Sequence, residues 1–202
     1  NAAFYSDTFR PPGVTRLKLG AMTLGERDRA PFFHCHGLWT ETDGHLHGGH
    51  ILPEESIVTE SFAVEAFGID GAIFTAEPDP ETNFKLFGPV ARAGTDVKAE
   101  RRAFALRLRP NQDFAAALET FCRQHGILRA RIHGGVGSTI GAHFTDGRTV
   151  VPFATELAIK AGTVAPGADG TLQAELDVAL VDYLGGIAEG RLMRGDNPVL
   201  MT

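Results

Sequence analysis

Cysteine is scarce in this chain, and so are the aromatic residues that carry a polar group. Cys35 and Cys122 are the two cysteines among 202 residues. That is no disulfide framework, and it fits a reducing compartment. One Trp and two Tyr stand against fourteen Phe, a balance that points to dry interiors. Long apolar runs are missing too: no stretch of 18 or more residues has the composition of a membrane-spanning helix. No basic n-region followed by an apolar h-region opens the sequence. Positive charge is also short, with 19 Lys and Arg against 25 Asp and Glu and a formal net charge of −6. Nucleic-acid binding draws on lysines and arginines that neutralise phosphates, so this balance disfavours DNA as the main partner. Together these absences lead to the expectation of a cytoplasmic protein with no membrane partner.

What is present is enough apolar material for a core, 43% of residues, and 24 glycines that suggest many turns. A weak internal repeat organises the chain. At an offset of 140, Leu17, Leu19, Ala21 and Thr23 meet Leu157, Ile159, Ala161 and Thr163. One residue later in register, Gly44 meets Gly185, Gly49 meets Gly190 and Val58 meets Val199. The reading is therefore two tandem copies: residues 1–90, a linker at 91–102, and residues 103–202. The first copy is expected to lack its start and the second its end. The join lies near the polar, charge-rich stretch 88–102.

In the second copy, residues 103–110 alternate Phe104, Leu106 and Leu108 and read as a strand. Asp113 can cap a helix with Phe114, Ala117, Leu118, Phe121 and Cys122 on its apolar face and Gly126 as its stop. Cys122 is thus a core residue. Residues 127–135 read as a second strand, running into a glycine-rich loop at 134–141. That loop has neither the Lys-Ser/Thr ending nor the following helix of a phosphate-binding motif, and it reads as a turn between strands. Strands are then expected at 14–24 and 154–164, at 32–41 and 173–182, at 45–52 and 186–193, and finally at 56–69. The fold class is α+β: an antiparallel β-sheet with one main helix per copy.

Five of the eight histidines lie between residues 32 and 50. Successive strand residues face opposite ways, so His34 and His36 share a face that Cys35 does not. A three-residue loop, Thr42-Asp43-Gly44, with Gly44 at the positive-φ position, pairs Glu41 with His45 and sets His36 opposite His50. Three imidazoles then converge, while His45 and His47 face away. A two-residue Asp-Gly loop would instead put His50 opposite Gly37, on the wrong face. Three neutral imidazoles suit a divalent metal, most naturally zinc, and leave a coordination position open. Gly48 and Gly49 beside them would let a ligand approach. Glu60 and Glu65 on the following segment are candidate bases but read better as surface carboxylates, and His133 and His143 read as structural.

The residues HCH, DGHLHGGHI and SIVTESFAVE, with FALRLRPNQDFAAALETFCRQHGILRARIHGGVGS in the second copy, resemble the plants and prokaryotes conserved (PPC) domain. The resemblance covers most of the chain. It implies an α+β fold on an antiparallel sheet, commonly a homotrimer, with metal on the histidine cluster in some members; it carries over His34, His36 and His50 as ligands. The Arg-Gly-Arg-Pro AT-hook of the plant proteins is absent from this sequence. In the second copy Glu175, Asp177 and Arg191 stand where the histidines would, and they are expected to form an internal ion pair without metal. Three functions follow as expectations: a metal site that binds or transforms a small molecule, a DNA-associated regulatory module, or a trimeric assembly domain. The sequence does not decide whether the protein is an enzyme.

Overall fold

The structure, a computed structural model, describes residues 6–80, 82–95 and 102–202. Two five-stranded sheets and a small two-stranded one carry the fold, with a single helix among the described residues. The first sheet is built from β1 (Arg16–Arg27), β2 (Ala30–Thr40), β3 (Leu46–Ile51), β4 (Ala72–Pro78) and β5 (Lys85–Ala91), in the order β3-β2-β1-β4-β5. β1, β2 and β3 form an antiparallel meander. β4 lies parallel to β1, Gly25 opposite Phe74, so this sheet is mixed rather than purely antiparallel.

Further along the chain, α1 (Phe114–Gln124) leads to β6 (Ala130–Ile132), β7 (Val136–Gly137) and the hairpin of β8 (Ala142–His143) with β9 (Thr149–Val150). A second antiparallel meander follows: β10 (Thr155–Pro166), β11 (Leu172–Asp182) and β12 (Ile187–Arg191). β6 and β7 both pair with β10, so the second sheet runs β12-β11-β10-β6 with β7 beside it.

The helix forms where its caps dictate. Asp113 has extended backbone geometry and accepts a 2.8 Å hydrogen bond from the Ala116 N–H, which satisfies a donor the helix leaves orphaned. At the other end Gly126 has φ +62°. The Gly126 and Ile127 N–H groups reach back to the Arg123 and Cys122 carbonyls, the double bond of a Schellman stop. Phe114, Ala115, Leu118 and Cys122 are buried against β10 and β11. Along β11 the residues Leu172, Ala174, Leu176, Val178 and Leu180 supply the facing layer, all 8% exposed or less. Each large aliphatic side chain buried this way contributes on the order of 1.5–3 kcal/mol.

Alternation continues on the other face of β11. Ala179 and Val181 are buried as well, because β2 and β3 pack on β10 and β11. Gly48 makes this approach possible. A Cβ there would lie 2.5 Å from Leu38 Cδ2 and 3.4 Å from the Val181 Cβ. The glycine thus admits the second half of the chain, where the sequence suggested room for a ligand.

The two meanders share their register. His36 pairs with Ala21 and His50, and Asp177 pairs with Ala161 and Arg191. Both second hairpins close with the same bonds: Glu41 N–H to the His45 carbonyl at 3.0 Å, and Asp182 N–H to the Gly186 carbonyl at 2.9 Å. Gly44 and Gly185 take φ of +87° and +89° in the two turns. A bulge interrupts each first hairpin, between Leu17 and Leu19 and between Ile159 and Ala161.

Of the one helix expected per copy, only α1 stands among the described residues, and the first copy carries β1 to β5 alone. Three further expectations fail through missing partners. Residues 103–109 alternate as expected and place Leu106 and Leu108 against the core, but no ladder runs along them. Residues 56–69 likewise have no strand pairing, and Ile57, Val58, Phe62, Val64 and Phe67 are all at least 55% exposed. Residues 127–135 shrink to the three residues of β6. The glycine-rich loop is more than a turn: Ser138, Thr139 and Ile140 bond with Pro198, Val199, Leu200 and Thr202 of the returning chain. β5 runs into the stretch read as the join, and residues 96–101 of that stretch lie outside the described residues.

Asp113 also accepts a 2.9 Å bond from the Asn197 N–H, tying the helix start to the chain's last segment. Asp113→Ala is therefore expected to cost about 1–2 kcal/mol, read as a lower urea midpoint with unchanged slope.

Candidate metal centre

The register set by the Gly44 turn determines which histidines can meet. It is the three-residue-loop register, with Trp39 opposite His47 and His36 opposite His50. His34, His36 and His50 come together as the sequence indicated, each offering a ring nitrogen within 4.8 Å of the others. The His34–His36, His34–His50 and His36–His50 ring centroids are 4.7, 4.8 and 5.4 Å apart.

His36 is the fixed member. Its side chain is 2% exposed, and its Nδ1 lies 2.8 Å from the Leu157 carbonyl oxygen on β10. A carbonyl only accepts, so Nδ1 carries the hydrogen and donates it. That leaves Nε2 directed at the cluster, 2.9 Å from His34 Nε2. A histidine anchored through one nitrogen, with the other turned towards a cluster of donors, is the arrangement metal sites use to fix ring orientation and tautomer.

Burial holds the other two rings neutral. His34 is pushed down to about 2, first by burial and then by the proximity of His36 and His50. His50 is lowered to about 4, again chiefly by burial, then by His36, with Glu156 acting in the opposite sense. Neutral imidazole is the form that ligates a cation. Three such nitrogens in one place fit a divalent metal, and an open coordination position beside them would let a bound cation polarise a small molecule.

Sequence reasoning missed Glu156. Its Oε2 lies 2.8 Å from His36 Nε2, with the side chain 40% exposed. Glu156 sits on β10, beside the Leu157 whose carbonyl anchors His36. Nothing in the spacing of the histidines points to it, because it arrives only when the two sheets pack.

The remaining histidines take other roles. His45 faces out and pairs with Asp43 at 2.8 Å, while His47 stacks on Phe9 and lies 3.4 Å from Glu41. His133 stacks on Phe67 with ring centroids 3.7 Å apart, and His143 pairs with Asp196 at 2.5 Å. Glu60 and Glu65 are exposed and are not part of the cluster. Cys35 is buried and its thiol is pushed up to about 11 by that burial, which argues against reactivity.

At the equivalent register of the second hairpin the chemistry is different. Arg191 donates from Nε and Nη2 to the two Asp177 oxygens at 2.9 and 3.0 Å, and from Nη1 to Glu175 at 2.6 Å. The Arg191 hydrogen bonds hold the Asp177 carboxyl below its ordinary value. The guanidinium pairs with both carboxylates, the ion pair read from the sequence.

The sequence profile of the Plants and Prokaryotes Conserved (PCC) domain, the PPC domain named above, matches residues 95–202. The chain belongs to this family. The matched span holds the Arg191 hairpin and Glu156, whereas the three histidines lie before it. Among curated proteins and solved structures, none matches the chain. Among the described residues no helix is long and apolar enough to cross a membrane.

Both depressed histidines bind a proton more readily in the unfolded chain than in the folded one. The stability they represent is whole above the ordinary value of 6.5 and drains as pH falls from there, towards about 4 for His50 and about 2 for His34. In metal-free protein the loss is expected to be on the order of 1 kcal/mol per histidine per pH unit. Urea unfolding at pH 7.0, 5.5 and 4.5 measures it, and His50→Gln should flatten the dependence.

Proposed function

We propose that the chain is a tandem PPC-like protein, with copies at 1–90 and 103–202 joined by 91–102, that holds one divalent metal on His34, His36 and His50. The carrying observation is the convergence of three ring nitrogens, with His36 anchored by the Leu157 carbonyl and His34 and His50 kept neutral. Zinc is the first choice, since an all-imidazole donor set with an open position suits it. The site's work is to bind or transform a small anionic or carbonyl-bearing molecule at that open position. The shared register of the two meanders, with their matching turns, supports the duplication. The second copy binds no metal, because Arg191 already fills the place between Glu175 and Asp177.

The apolar side chains exposed along residues 57–67 favour one further element, a homo-oligomeric assembly, for which the family resemblance suggests a trimer. The DNA-associated reading has no comparable support, since the net charge is −6.

Metal analysis after reconstitution with zinc and removal of the excess tests the site. One equivalent per chain is expected, falling below about a tenth in His36→Ala and unchanged in Arg191→Ala. Two equivalents in the parent would defeat the assignment of the second copy.

A further inference from the structure

We infer that Glu156 is a fourth protein donor to the metal site, delivered by the second half of the chain. The inference rests on the three-histidine reading and extends it to a residue that neither the histidine spacing nor the hairpin contains.

The geometry carries it. Glu156 Oε2 lies 2.8 Å from His36 Nε2, nearly the distance that separates the His34 and His36 Nε2 atoms, 2.9 Å. Two donors each about 2.1 Å from a common cation, with bonds meeting at about 90–110°, lie roughly 3–3.4 Å apart. The carboxylate oxygen, a few tenths of an ångström inside that spacing, comes to it by a small outward shift of its part-exposed side chain. Adjacent residues of β10 hold both ends of the His36 ring: the Leu157 carbonyl takes the Nδ1 hydrogen at 2.8 Å, and the Glu156 carboxylate faces Nε2. A strand that fixes the ring on one side and places an anionic oxygen on the other has built half of a coordination sphere.

The donor's chemistry also matters. Three neutral imidazoles leave a divalent ion with its full double charge, and one carboxylate halves it. The Glu156 side chain is 40% exposed while His36 is 2% exposed, so the carboxylate stands on the solvent side of the cluster. With four protein donors in place, a ligand entering from solvent meets this oxygen first and takes a fifth position on the ion or displaces the carboxylate. Small neutral or singly anionic molecules fit such a site better than highly charged ones.

Cobalt(II) is the probe, because its visible absorption reports donor set and coordination number directly. The full chain and its Glu156→Gln and Glu156→Asp variants are stripped of metal, checked for matching urea midpoints, and titrated with cobalt and with zinc. Glu156→Gln should keep one equivalent per chain, bind each metal about 10- to 100-fold more weakly, and shift the cobalt spectrum. Glu156→Asp, which shortens the side chain but keeps the carboxylate, should fall between the two. A Glu156→Gln protein with the parent's affinity and the parent's spectrum would overturn the inference and leave the three-histidine site standing. A parent that takes up neither metal would overturn both.

Discussion

The structure depends on one turn. Gly44, in the left-handed region, closes a three-residue loop that sets the register of β2 against β3. Because side chains alternate along a strand, a slip of one residue would move His50 to the opposite face from His36. The packing of the two halves is tied to the same register. It turns His36 inward to reach the Leu157 carbonyl and sets Gly48 where Val181 comes close. Local backbone geometry at one glycine thereby positions a cluster of ionisable groups and a contact between sheets.

Packing then sets the electrostatics. The same burial that excludes water from His34 and His50 removes the solvation that would stabilise their protonated forms. The imidazoles stay neutral without a nearby cation to force them. At the corresponding place in the second meander, Arg191 is 41% exposed and can afford its charge, balanced by two carboxylates. Exposure and charge thus covary between two hairpins of the same register: a drier one with neutral donors and a wetter one with an ion pair.

The sequence disclosed what is set locally and hid what depends on distant partners. The hairpin register, the capped helix from Phe114 to Gln124 and the Arg191 ion pair all follow from contacts a few residues to a hairpin apart, and the structure places them as read. Residues 56–69 and 103–109 show why alternation alone misleads. Both carry strand-like patterns, but a strand also needs a neighbour to receive its hydrogen bonds, and pattern does not supply one. The parallel pairing of β4 with β1 and the arrival of Glu156 beside His36 come from tertiary packing, which no local signal encodes. The family profile matches residues 95–202, beyond the three clustered histidines.

On the proposed duplication, the register makes Arg16 the counterpart of Glu156, just as it makes Glu175, Asp177 and Arg191 the counterparts of the histidines. On that reading the first half carries the histidines and the second half carries Glu156. A self-assembling single domain must carry both parts of such a centre in every copy, whereas fused copies are free to divide them. On that division, the first half released on its own would keep the three histidines but lose both Glu156 and the Leu157 carbonyl that anchors His36. Selection on the site would then act on the covalent connection between the halves as strongly as on the residues that form it.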